Sequence, residues 1–98
     1  MEFLDNYNFE NLSNEAERIV IDELGRQLSA YRVPICRCND CVVDMAAMAL
    51  NGVKPLYRSS LLGTLYTGAA AEDKGYSKAI EKAVKLAIEK VSLNPGHA

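Results

Sequence analysis

The chain has no Trp, a single His, three Pro, and no cysteine outside one six-residue stretch. His97 lies next to the C-terminus, a poor place for a general base, so the sequence carries no evidence of catalysis and a non-enzyme is expected. No window approaches the roughly 20 apolar residues that cross a bilayer, so no membrane partner is expected. The opening Met1-Glu2-Phe3-Leu4-Asp5-Asn6 is acidic and lacks the basic start and apolar core of a signal peptide, which points to the cytoplasm. A basic excess is missing too. The net charge of −2 argues against a general DNA or RNA binder, which must neutralise phosphates, but leaves room for a local basic pocket that takes a small anion. There is no internal repeat and no low-complexity segment.

What remains has the balance of an ordinary soluble globule, with 49% apolar and 24% charged residues, and disorder is not expected. Its 98 residues make one domain. Such a domain buries roughly 60–70% of the surface its unfolded chain exposes. The stability margin is thin, and a metal ion or a second subunit would add to it.

All three cysteines stand in Pro34-Ile35-Cys36-Arg37-Cys38-Asn39-Asp40-Cys41, a C-x-C-x-x-C cluster running straight into a helical pattern. Three is an odd number, so one intramolecular disulfide leaves a thiol over. Reducing conditions keep thiols free for metal, which favours zinc over a disulfide. Zinc takes four tetrahedral ligands, with sulfur at about 2.3 Å. Cys36, Cys38 and Cys41 can wrap one ion while amides at the helix start soften the thiolate charge. Asp40, Asp44, His97, a water or a partner residue is the fourth ligand. A structural role fits better than a catalytic one. The competing readings are reduced cysteines packed as small hydrophobes and a redox or sensing thiol pair.

Along the chain, residues 1–13 read as an arm whose Phe3, Tyr7, Phe9 and Leu12 dock on the core or on a partner. Asn14 with Glu17 has the spacing of a helix cap. Ala16, Ile19, Val20, Leu24, Leu28 and Tyr31 then recur at helical spacing. Gly25 inside this helix costs about 1 kcal/mol against Ala, so a close helix contact is expected there. Pro34 stops the helix. Asn39 or Asp40 is expected to cap a second helix, about 41–50, with an apolar face of Val42, Met45, Ala46, Ala49 and Leu50. Met45 and Met48 are assigned to core or dimer interface. Gly52 suits the left-handed position after the helix. Val53 to Arg58 is extended because of Pro55. A short helix starting at Ser59 or Ser60 and running through Leu61, Leu62 and Leu65 is weakened by Gly63 and Gly68. The last helix, about 70–92, presents Tyr76, Ile80, Ala83, Val84, Ala87, Ile88 and Val91 as one stripe. The expected fold is all-α: three main helices plus a short fourth, with a cysteine loop before the second helix. The expected boundaries are an arm at 1–13, a helical domain at 14–92 and a tail at 93–98.

Cys36-x-Cys38-x-x-Cys41-x-x-Asp44, then Ala46-x-x-Ala49-Leu50-Asn51, then Pro55-x-Tyr57, resembles the signature of the late competence development protein ComFB family of bacteria. The order of the elements matches as well, and the resemblance covers about residues 14–92. It implies a small, all-helical homodimer, with cysteine-bound zinc in some members. For several members it implies a receptor for cyclic dinucleotides, chiefly cyclic di-GMP, linked to competence, type IV pili and motility. It implies no enzymatic activity. This chain departs from the family pattern in two places. It lacks the further cysteine that some relatives carry near the C-terminus. It also has Lys54-Pro55-Leu56-Tyr57-Arg58 where Pro-Pro-Arg-Tyr is common.

A cyclic dinucleotide needs Arg or Lys for its phosphates, Asp for the guanine edge, and Tyr or Arg to stack on the bases. On the resemblance, Arg32, Arg37, Asp40, Asp44, Lys54, Tyr57 and Arg58 are the candidates for contact with cyclic di-GMP or cyclic di-AMP. A two-fold ligand suits a two-fold dimer, and a protein effector would receive the signal. Ordinary roles compete with these: a cap or ion pair for Asp44, core packing for Tyr57, a solvated face for the basic residues. The alternative function is a zinc-stapled dimeric adaptor that binds proteins without nucleotide.

Overall fold

The computed structural model describes residues 2–59 and 73–95. In chain order they form α1 (Glu2–Asp5), a 3-10 turn (Phe9–Asn11), β1 (Ser13–Asn14), α2 (Ala16–Ala30), α3 (Asn39–Asn51), β2 (Tyr57–Arg58) and α4 (Lys74–Leu93). The mostly helical class is as expected. The short helix expected after Ser59 lies almost wholly outside the described residues, as do His97 and the rest of the tail from 96 onward.

The three long helices pack on one another because each carries one apolar stripe at helical spacing. Val20 and Leu24 of α2, Cys41, Met45 and Ala49 of α3, and Ile80, Val84, Ala87, Ile88 and Val91 of α4 form one buried cluster. Ile19, Leu28, Tyr31, Val42, Ala46, Leu50, Tyr76 and Ala83 pack against it half-buried. Met45 and Ile88 are wholly excluded from solvent, and burying such a side chain is worth about 1.5–3 kcal/mol. Gln27 Nε2 on α2 also donates to the Glu81 carbonyl on α4 at 2.9 Å.

Two details tie the short strands to this bundle. β1 pairs antiparallel with β2, Ser13 opposite Arg58 and Asn14 opposite Tyr57. Asn14 Oδ1 accepts from the amides of Ala16, at 3.1 Å, and Leu56, at 2.7 Å, and the Glu15 amide donates to the Leu56 carbonyl at 2.9 Å. The chain after α3 is thereby fastened to the start of α2. At its other side, Tyr76 Oη donates to the Lys54 carbonyl at 2.7 Å.

Several local expectations are corrected. At the start of α2 the expectation is met in part: Glu15, already helical, stands at the N-cap position without a side-chain cap bond, and Asn14 Oδ1 just before it accepts from the Ala16 amide at 3.1 Å. Cys38, not Asn39 or Asp40, caps α3. Gly52 sits at φ −99°, not in the left-handed region. Gly25 has open space where a Cβ would stand, so no close helix contact explains it. Of the two roles weighed for Tyr57, its exposure excludes core packing. Of the two expectations for the arm, docking on the core is not met: Phe3, Tyr7, Phe9 and Leu12 are all exposed, and the Phe3, Tyr7 and Phe9 rings lie tilted against one another. α4 begins at Lys74 rather than near 70, where Asp73 Oδ1 accepts from the Tyr76 amide at 3.0 Å.

Candidate metal centre

The cysteine segment joins the end of α2 to the start of α3 and caps both. Cys38 is extended (φ −69°, ψ 166°), and its Sγ accepts from the Cys41 amide at 3.4 Å, one of the amides at a helix start that lack an intrahelical acceptor. Between the first two cysteines, Arg37 turns back to α2. Its Nη1 donates to the Leu28 carbonyl at 2.6 Å and its Nη2 to the Tyr31 carbonyl at 3.1 Å.

This local fold brings the three sulfurs within 4.8 Å of one another. Cys36 is half-buried, Cys38 exposed and Cys41 buried. A tetrahedral ion with sulfur at about 2.3 Å holds its ligands about 3.8 Å apart, so a small inward adjustment closes the set on one ion. The electrostatics are uneven. The Cys38 backbone amide, followed by the Cys38 and Cys41 side chains, lowers the Cys36 pKa below 9.0. Burial, followed by the Cys36 and Cys38 sulfurs, pushes Cys41 up to about 12. Ionising all three so close together takes a cation among them, and a soft divalent metal is the ion thiolates prefer. Among the described residues, no His or carboxylate joins this cluster.

The candidate ligand residues do not gather in one place within the chain. Arg32, Arg37 and Asp40 lie at the cysteine end, with Arg32 and Asp40 exposed and Arg37 engaged with the end of α2. Lys54, Tyr57 and Arg58 lie past the other end of α3, a helix of 13 residues and so about 20 Å long. Arg58 pairs with Glu15, with Nε and Nη2 at 2.8 and 2.7 Å from Oε1. Those bonds, more than the coulombic pull of Arg58 and Arg18, hold the Glu15 carboxyl below its ordinary 4.5. Lys54 and Tyr57 are exposed. Asp44 stands between the two groups, exposed on α3, at the lip of a groove of about 680 Å³ that it shares with Met48, Lys90 and Leu93. Glu15 and Tyr76 were not singled out from the sequence as partners of this region. Nothing in their spacing distinguishes them from ordinary helix-start residues.

The family model for late competence development protein ComFB matches residues 13–95. Among solved structures, the chain is similar to the late competence protein ComFB from Bacillus subtilis. The identity is 30% and the TM-score 0.64, over 87% of this chain and 94% of that one. No curated protein matches. Among the described residues, no helix is long and apolar enough to cross a membrane.

Proposed function

The chain belongs to the late competence development protein ComFB family, and from that premise we propose that it is a non-enzymatic, homodimeric receptor for a cyclic dinucleotide, cyclic di-GMP first. The family resemblance supplies the ligand class. The observation that carries the reading is at β2. Tyr57 is a large aromatic left 61% exposed, in a segment fastened by Asn14 and Glu15 that also carries Lys54 and Arg58. An exposed aromatic and cations in one short segment suit a guanine attached to a phosphate. Arg58 would meet the phosphate in competition with Glu15, and Asp40 or Asp44 would take a guanine edge across the dimer, because the two groups of candidates lie at opposite ends of α3. In this reading Cys36, Cys38 and Cys41 hold a structural zinc that fixes the α2–α3 corner. The output, to competence, pilus or motility machinery, passes to a protein effector in the cytoplasm.

The test is a thermal melt and a calorimetric titration of the metal-quantified protein with cyclic di-GMP, with cyclic di-AMP and GTP as controls. A selective upward shift that Tyr57→Ala removes without lowering the ligand-free melting point supports the proposal. No heat and no shift with any nucleotide overturn it. The second reading, a zinc-stapled adaptor without nucleotide, is favoured by Arg37 and Arg58 both being engaged with internal partners.

A further inference from the structure

The cysteine centre has the right number of donors for a different kind of ion. The Cys36, Cys38 and Cys41 sulfurs lie within 4.8 Å of one another, and among the described residues no His or carboxylate joins them. Zinc fills its shell with four ligands, so on these three it takes its fourth from outside the set. An ion whose whole shell is three sulfurs is completed by the cluster alone. Cys38 stands extended just before α3, Cys41 lies in the first turn of α3, and Cys38 is the exposed member. An incoming ion therefore meets Cys38 first.

Charge narrows the choice further. Three thiolates around a divalent ion leave the complex negative, and around a monovalent ion more so. Around a trivalent ion the complex is neutral. The surroundings favour the neutral one. Cys41 is 1% exposed and belongs to the buried cluster with Met45 and Ala49, and charge in apolar surroundings is costly unless it is paired. Arg37 is the cation of the loop, and its guanidinium is engaged by the Leu28 and Tyr31 carbonyls. Asp40 adds a carboxylate to the first turn of α3. The positive end of α3 offsets part of a negative charge there, not all of it. Trivalent arsenic satisfies both conditions. It is thiophilic, it bonds three sulfurs without net charge, and a lone pair fills its fourth direction, which needs no donor.

We propose that Cys36, Cys38 and Cys41 form a three-sulfur site for trivalent arsenic, which arrives as arsenous acid and displaces any zinc held there. Each thiol gives its proton to a leaving hydroxyl. Three As–S bonds form, three As–O bonds break and three waters depart. Arsenic stays trivalent, and nothing is oxidised or reduced. Starting from the zinc-bound state, the three protons come from solution, and the zinc leaves as a hydrated ion. The proposal stands on the cysteine set and is independent of the nucleotide reading above.

Two thiols also hold arsenic, with an oxygen kept as the third ligand, so the test must count sulfurs. Sodium arsenite is titrated into the full-length, metal-quantified protein in the presence of excess glutathione. Native mass spectrometry counts bound arsenic, a zinc-responsive dye follows released zinc, and X-ray absorption at the arsenic edge identifies its neighbours. The expected result is about one arsenic per chain with three sulfur neighbours and no oxygen, and release of whatever zinc was bound. Cys36→Ser and Cys38→Ser should each weaken arsenite binding about a hundredfold or more, as loss of one linked donor does. Cys36 is half-buried and Cys38 exposed, so the fold should survive both changes, and a thermal melt of each variant checks it. The outcome then does not depend on Cys41→Ser, which alters the core. Two sulfurs with a retained oxygen, an affinity unchanged by Cys38→Ser, or arsenic stripped from the wild type by glutathione overturns the proposal. None of these results bears on binding of cyclic di-GMP, which has its own titration.

Discussion

Replacing Arg37 with Ala should destabilise the domain with no nucleotide present. The guanidinium donates to the Leu28 and Tyr31 carbonyls at 2.6 and 3.1 Å; the Leu28 carbonyl also takes the Tyr31 amide at 3.3 Å, and the Tyr31 carbonyl lies just past the last turn of α2. A cation there also meets the negative end of the helix dipole, worth about 0.3–1 kcal/mol at the surface. The two hydrogen bonds add about 0.5 kcal/mol each, the low end of the usual net range, because the site is exposed and water replaces the lost donor. The sum is a loss of about 1–2 kcal/mol, or a melting point lower by about 4–8 °C per kcal/mol in a domain of this size. Arg37→Lys keeps the charge without the fork and should recover about half. Arg32→Ala, at an exposed cation with no partner among the described residues, should stay within about 0.5 kcal/mol of wild type. Urea unfolding of metal-saturated protein measures this, with an unchanged m-value showing that the unfolded state is not what moved. A midpoint unmoved by Arg37→Ala refutes the cap. If that variant also loses cyclic di-GMP, Arg37 returns to the ligand set.

Gly25→Ala should stabilise by about 0.4–1 kcal/mol, since a Cβ there meets nothing within 4 Å and the backbone is already helical; a lower melting point would reveal a hidden close contact. The Glu15–Arg58 pair sets a pH dependence. Because the folded-state pKa of Glu15 lies below its ordinary 4.5, the pair's stability is present above that value and is lost as pH falls through the folded-state pKa. Glu15→Gln should therefore flatten the fall in the urea midpoint between about pH 6 and about pH 3. Glu23, also lowered through its bonds to Arg26, still contributes in both proteins, so parallel curves for the two would refute the assignment to Glu15.

The long helices were readable because their stripes are redundant. Five positions in α2, with Tyr31 at its C-cap, and seven in α4 repeat the same face, and losing one to a Gly or a polar residue leaves the period intact. The cysteine centre was readable for a different reason: three soft ligands in six residues are rarely placed by chance. What failed were features decided by partners distant in sequence. Asn14 does bond the start of α2 through the Ala16 amide, but the same oxygen also takes the Leu56 amide, 42 positions away, which no local spacing announces. The two-residue strands are too short to show an alternating pattern, so the choice between core and surface for Tyr57 is made only by the structure. The ligand candidates were gathered by residue type along one stretch. α3 then carries that stretch about 20 Å along its axis, which separates residues that look adjacent in the sequence.

Cys38 offers a test of the metal whose two explanations differ in sign. As an N-cap, its sulfur accepts the Cys41 amide at a long 3.4 Å, and Ser is among the best residues for that position. The side chain is also exposed, so replacing it leaves no cavity. If capping and packing were all it did, Cys38→Ser would hold stability level or raise it by up to about 1 kcal/mol. If it is one of three thiolates on a zinc ion, the same change removes a ligand. Metal bound only by the native state contributes to folding free energy, so stability must fall despite the better cap. Cys41→Ser cannot separate the two, because that side chain is also part of the buried cluster and both explanations predict a loss. The expected outcome is about one zinc per chain in the purified wild type, a melting point that chelator lowers, and a Cys38→Ser protein that melts lower and no longer responds to chelator. A Cys38→Ser protein as stable as the wild type, with no metal in either, would leave the cysteines as a helix cap and core packing.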